Sequence, residues 1–388
     1  MKAMTTRRTL LKAAAAAVAM VTSGGSGKQS LPTVSRNTPS PSPADLRLPP
    51  VAPQGRPVPM IHATDLFRPH CDPDDHWDLA SVFALAYTRQ IDLKAVLIDF
   101  EPHSTNDHNP DVMAVAQMNY VTGLHVPVSV GTPRPMRSRD DSQADAGASD
   151  HIGIDMVLDI LRRSPEPVVI NVIGSCRDIA VAGKKAPQLF AEKCAGIYLN
   201  AGTGSPDKEK AAKLEYNVSL APLSYAAIFD LPCPIYWMPC FEQMNSDRPI
   251  MEYGTHYSFR QGEILPHLSS RVQNFFLWML ARKTDHNWLR SLLGPVDPQL
   301  LDTFGAQDRH MWCTGGFLHA AGQSILADAT NQPVFSFDPI RVSCSDEGVT
   351  RWTHDSKAKD RYIFHVRDLD RYQAAMTGAL KALLLKLP

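Results

Sequence analysis

Five aspartates, Asp65, Asp72, Asp74, Asp75 and Asp78, fall in one short stretch, Thr64-Asp65-Leu66-Phe67-Arg68-Pro69-His70-Cys71-Asp72-Pro73-Asp74-Asp75-His76-Trp77-Asp78. Carboxylates this close repel one another, and burial raises the cost of keeping them ionised. A hard cation resolves the conflict. Calcium takes about 6–8 oxygen ligands, which one acidic loop and the carbonyls of a neighbouring strand end can supply. Asp74 and Asp75 also stand where a helix begins, and a helix N-terminus favours negative charge. Plain capping and solvated loop acids account for one or two aspartates better than for five. His70, His76 and Trp77 flank the loop and are candidates to touch a heterocycle, with core packing as their plainer role.

The elements around this loop set its place. A short strand is expected over 59–65 and a helix over 76–88, where Leu79, Val82, Phe83 and Ala86 mark one buried face. Further strands are expected at 93–98, 126–130, 168–173, 196–200 and 235–238. Helices at 111–122, 154–163, from 179 onward and 221–229 alternate with them. Such alternation predicts an α/β fold, an open and mostly parallel sheet flanked by helices. Ligands of such sheets bind outside the carboxyl ends of the strands. Residues 245–315 read as mostly helical, a cap with its clearest helix at 271–281. Short strands at 340–342 and 362–366 and a helix over 370–385 close the chain.

Composition bounds the function. The chain has 388 residues, 44% of them apolar, which suffices for one large core. Its net charge of -1 and lack of a basic run give no support to a nucleic-acid partner. Thr6-Arg7-Arg8-Thr9-Leu10-Leu11-Lys12, then an alanine-rich run to Thr22 and Ser23-Gly24-Gly25-Ser26-Gly27, reads as a twin-arginine-type signal over 1–27. Export to a periplasmic or extracellular space follows. The apolar run falls short of the roughly 20 residues needed to span a bilayer, so no stable membrane anchor is expected. A Pro/Ser-rich linker is expected over 28–58, followed by a single catalytic domain over 59–388. The seven cysteines show no CxxC spacing and read as small buried hydrophobes. No GxGxxG turn or GxSxG elbow is present, which argues against a dinucleotide oxidoreductase and a serine hydrolase.

Several motifs occur in a telling order. Thr64-Asp65 ends a strand and Asp74-Asp75 opens a helix. Ile173-Gly174-Ser175-Cys176-Arg177-Asp178 joins a strand to a helix, Gly196 to Gly204 forms a strand end, and Glu215-Tyr216-Asn217 and Leu318-His319 follow. This order resembles the inosine-uridine-preferring nucleoside hydrolases, whose first-strand motif reads Asp-x-Asp-Pro-Gly-x-Asp-Asp. The resemblance covers nearly everything after the linker. It implies a calcium ion held by Asp65 and Asp75 with the carbonyl of Ile173, and a water activated by Asp74. It implies Glu215 and Asn217 on ribose hydroxyls, a nucleoside or sugar as the small-molecule partner, and a homo-oligomer.

The chain departs from that pattern in three places. The opening loop is longer, so the first-strand ligand is Asp65 or Asp72, with Asp65 favoured because it ends the strand; Asp78 is extra. Ala320 stands where the family has a metal-binding Asp after Leu-His. Asp99-Phe100-Glu101 replaces the family's Gly-Asn. Asp78 and Glu101 therefore join the substrate-binding candidates. Breaking a ribosyl C–N bond passes through a cation-like sugar. The expected roles are Asp74 as base and His319 as the acid for the leaving base, since imidazole titrates near neutral pH. The plainer role of His319 is a helix-start histidine packed under the cap. An inactive sugar- or nucleoside-binding protein of the same fold, and a hydrolase of another glycoside, remain as alternatives.

Overall fold

The computed structural model describes residues 56–100, 109–243, 251–327 and 332–388, all within the compact unit Pro43–Pro388. The expected signal, the linker up to residue 55 and Glu101 lie outside the described residues.

The central strands are apolar on both faces, which is the mark of strands covered from both sides. In β1 (Val58–Thr64), Met60 packs into one core, while Ile61 and Ala63 face the other. Beside it lie β2 (Ile91–Ile98), β3 (Val128–Val130), β4 (Val168–Val172), β5 (Cys194–Asn200) and β6 (Ile235–Met238). Together with β9 (Phe335–Cys344), β10 (Thr350–His354) and β11 (Arg361–Val366) they form a nine-stranded sheet. Its order is β10-β9-β11-β6-β5-β4-β1-β2-β3. Every neighbouring pair from β11 to β3 is parallel, whereas β9 runs antiparallel to both β11 and β10. The mostly parallel α/β expectation therefore holds. The strand order reverses between β1 and β4, and that reversal opens a crevice at the carboxyl edge.

One face of the sheet carries α1 (Asp74–Tyr87) and the C-terminal α11 (Leu369–Leu384), which pack on each other. The other carries α3 (Ile152–Arg163), α4 (Arg177–Lys185) and α7 (Pro222–Ile228). The sequence marks one buried face on α1, but residues 74–85 are all buried. The reason is an outer layer: Trp77 packs at 5.3 Å on Phe259 and at 4.2 Å on Phe276. Phe276 belongs to α8 (Ser270–Leu280), close to the helix expected there. Phe259 belongs to β7 (Tyr257–Arg260), which pairs antiparallel with β8 (Asp308–Met311). The cap is mostly helical, as expected, with one short two-stranded sheet added, where Tyr257 and Phe259 alternate inward at a period of two. No helix among the described residues is long and apolar enough to cross a membrane.

Candidate active site

Three strand ends meet at the crevice. Asp65 follows β1, Asp99 follows β2 and Ile173 follows β4. The Asp99 N–H donates to the Thr64 carbonyl at 2.9 Å, and the Ile173 N–H donates to the Ala63 carbonyl at 2.9 Å. The ladder thus runs one residue past the strands and fixes these three residues side by side. Gly174 makes the approach close. A Cβ there would lie 2.3 Å from the Asp99 Oδ2 and 2.7 Å from the Asp65 nitrogen. The Ser175 N–H donates to the same Asp99 carboxylate.

The N-terminus of α1 adds Asp74, Asp75 and Asp78, all buried. Burial, and next the neighbouring Asp65, pushes the Asp75 carboxyl well above the ordinary range. Burial, and next Asp72, does the same to Asp74. Burial drives Asp78 up to about 8, against the nearby Cys313 thiol, which lowers it. Asp99 is raised by burial and then by Asp65. Asp65, Asp72, Asp74, Asp75, Asp78 and Asp99 thus act on one another as a single acidic group. The Asp74 Oδ1 and both Asp78 carboxylate oxygens are buried without a hydrogen-bond partner. Arg309, on β8, brings a buried guanidinium to this group, its Nη1 4.0 Å from the Asp72 Oδ1. Among the described residues, no three or more His, Cys, Asp or Glu side chains form a metal-holding group by themselves.

Glu215 and Asn217 arrive from the next strand end. Glu215 caps the short helix α6 (Tyr216–Leu220) by accepting from the N–H groups of Asn217 at 3.0 Å and Val218 at 3.4 Å. It also accepts from the Gly202 N–H at 3.0 Å. The Asn217 Nδ2 donates to the Ile173 carbonyl at 3.0 Å and to the Asn200 carbonyl at 3.1 Å. One side chain therefore clamps the ends of β4 and β5. Its carbonyl oxygen remains available as an acceptor. The Cys240 thiol, between the two groups, is pushed up by burial and then by Glu215, Asp74 and Asp65.

No family model matches the sequence, and no curated protein sequence matches it. Solved structures do match. A plant nucleoside hydrolase, 14% identical, superimposes with a TM-score of 0.52 over 84% of this chain and 99% of that one. A purine-preferring ribonucleoside hydrolase from Gardnerella vaginalis, also 14% identical, gives 0.50 over 84% of this chain and 99% of that one. The fold is nucleoside-hydrolase-like.

In this nucleoside-hydrolase-like fold the structure brings Asp65, Asp72, Asp74, Asp75, Asp78, Ile173, Glu215 and Asn217 to one crevice. It does not bring His319 there. His319 sits in the last turn of α10 (Thr314–Ala320), not at a helix start. Its Nδ1 is 2.7 Å from the Tyr198 hydroxyl, and Phe337, Tyr236 and Tyr198 pack around its ring. Burial lowers its pKa. Ala320 ends the same helix within the apolar core. The residue of this segment beside the acids is Cys313, at the N-cap. His76 bonds Asp111 at 3.2 Å, and Trp77 is packed in the core, so neither faces the crevice. His70 borders the loop half-buried, its pKa lowered to about 4 by burial and then by His76.

Sequence reasoning missed Asn200, Cys240, Cys313 and Arg309 as site residues. Asn200 carried a readable signal, a polar residue closing a buried strand. A wall of rings was missed as well. Phe241 stacks on His256 at 5.8 Å, His256 Nε2 is 3.0 Å from His310 Nδ1, and Trp312 lies 5.4 Å from His256. His310 feels Arg309 and Asp72, which places the wall beside the acidic loop.

Proposed function

We propose that this chain hydrolyses the N-glycosidic bond of a ribonucleoside or related N-riboside, releasing base and sugar, with calcium bound at the acidic crevice. The observation that carries this reading is the Asn217 clamp. It ties Glu215 and Asn217, suited to sugar hydroxyls, to the Ile173 carbonyl that borders the carboxylates. The nucleoside-hydrolase-like fold supports the reading at the level of architecture.

The donor chemistry fits a hard cation. Carboxylate oxygens of Asp74 and Asp78 are buried without partners, and Ile173, whose carbonyl Asn217 holds, follows the strand neighbouring that of Asp65. Asp65 and Asp75 with the Ile173 carbonyl would hold it, and Asp72 is the further candidate. When bound, calcium would neutralise the crowded acids and polarise a water. Asp74 would serve as general base toward the attacking water. Glu215 is matched by resemblance to the family's sugar-binding glutamate, and Asn217 has its carbonyl oxygen. Both can hold sugar hydroxyls, at about 1.5–3 kcal/mol for a hydrogen bond to a charged group. The ring wall of Phe241, His256, His310 and Trp312 offers the departing base a flat apolar face. The Arg7-Arg8 leader supports export from the cytoplasm.

A second reading, a sugar- or nucleoside-binding protein without turnover, is favoured by one observation: Ala320, which stands in the sequence where the resemblance has a metal-binding Asp, is packed in the apolar core. Incubating the purified chain with a panel of ribonucleosides, in calcium and then in chelator, separates the two. Free base seen by chromatography in calcium and lost in chelator is the expected result. No base from any nucleoside, with melting unchanged by chelator, removes the enzyme and the calcium together.

A further inference from the structure

The amino edge of the sheet, opposite the crevice, brings two cysteines together. Cys194 opens β5, and Cys233 lies just ahead of β6. These strands are parallel neighbours, with Ile197 level with Ile235 and the Ile197 N–H donating to the Pro234 carbonyl at 2.9 Å. A bulge in β5 sets the rest. One step of β4, from Val169 to Val168, spans Gly196 to Cys194, so Ala195 is the extra residue. An extra residue reverses the face of everything beyond it. Cys194 therefore turns to the core that holds Ile197, and the same core takes Ile235 and Cys233. Both cysteines are buried there.

Residues level on neighbouring strands have Cα atoms about 5 Å apart, inside the roughly 4.4–6.8 Å that a disulfide spans. The two thiols meet. Cys194 is pushed well above its ordinary range by its hydrogen bond with Cys233 and then by burial. The Arg361 guanidinium fixes the approach to β6, donating to the carbonyls of Leu231 at 2.8 Å and Cys233 at 3.0 Å. Cys240 and Cys313 are engaged differently, both turning their thiols to the Asn200 Oδ1, at 3.5 and 3.3 Å.

We propose that Cys194 and Cys233 are a modification site: in an oxidising space they close a disulfide that ties the amino ends of β5 and β6. The Arg7-Arg8 leader supports delivery to such a space. The reaction is thiol–disulfide exchange with a small-molecule disulfide such as oxidised glutathione. One cysteine sulfur gives up its proton, attacks the small disulfide and expels a first glutathione thiol. The other cysteine sulfur gives up its proton, attacks that mixed disulfide and expels the second. The small disulfide is reduced to two thiols as the Cys194–Cys233 bond forms. The bond removes chain entropy from the unfolded state across the segment between the two cysteines, and so stabilises the fold without touching the crevice.

The test uses the full chain, purified reduced. It is equilibrated with oxidised glutathione while folded and, separately, during refolding from guanidinium chloride. Free thiols are blocked with N-ethylmaleimide, and unreduced peptides are read by mass spectrometry. The expected result is a peptide pair joined from Cys194 to Cys233. Reductant should then lower the wild-type melting temperature by about 5 °C or more. Cys233→Ala, which leaves Cys194 without its partner, should melt at the same temperature with and without reductant. Maleimide on both Cys194 and Cys233 after both treatments overturns the proposal, as does a link from either one to a different cysteine. A joined pair whose reduction leaves the melting temperature unchanged overturns the stabilising role.

Discussion

Asp74 shares with Asp78 a buried carboxylate oxygen without a hydrogen-bond partner, and Asp72 lies against it. Asp74 is assigned the base because it opens the helix in the Asp-Asp pair that resembles the nucleoside-hydrolase motif. Asp74→Asn keeps the shape and removes the capacity to take a proton. Turnover of any nucleoside the wild type cuts should fall about 10²–10⁴-fold, while the melting temperature stays the same or rises as one buried charge disappears. A wild-type rate in this variant would assign the base elsewhere. At this scale the sequence was legible where residues are consecutive. Asp74 and Asp75 were legible as the opening of a helix, Asp65 was favoured over Asp72 as the residue closing the strand, and Glu215 and Asn217 were matched by resemblance to a three-residue motif. Residues brought together by distant elements were not legible. Leu318-His319 is too short a motif to fix helix phase, and the turn that meets the acids proved to be the one at Cys313, at the opposite end of α10. Arg309 and the His256–His310 pair depend on a long-range antiparallel pairing that was not foreseen.

Elements position the site through strand ends. Each of β1, β2, β4 and β5 finishes in a polar residue or a carbonyl at the same edge, and Gly174 lets two of those ends come close. Gly174→Ala should push Asp99 and Asp65 apart. Overpacking of this kind costs about 1–3 kcal/mol, read as a lower urea midpoint at unchanged m-value, together with weaker calcium binding. A wild-type midpoint and wild-type calcium affinity would show that the close approach is not required. The central strands were readable because they are short apolar runs closed by polar or glycine residues. The antiparallel pair of β7 and β8 was not, because four-residue strands far apart in sequence among helices give too few alternations to outweigh the helical periodicity around them. The outer burial of α1 follows from Phe259 of that pair together with Phe276 of α8.

For the whole molecule, the α/β class followed from alternation, but the reversal of strand order between β1 and β4 did not. Pairing is set by which apolar faces meet, and one sequence does not display that. The reversal makes the crevice, and the crevice gathers the acids, the Asn217 clamp and the ring wall at one edge. The most direct measurement is a crystal structure of the full chain soaked with calcium and ribose. The account predicts a cation touching the Asp65 and Asp75 carboxylates and the Ile173 carbonyl, with ribose hydroxyls on Glu215 and Asn217. A crevice that stays free of cation and sugar at saturating concentrations, or ribose bound away from Glu215 and Asn217, would contradict it.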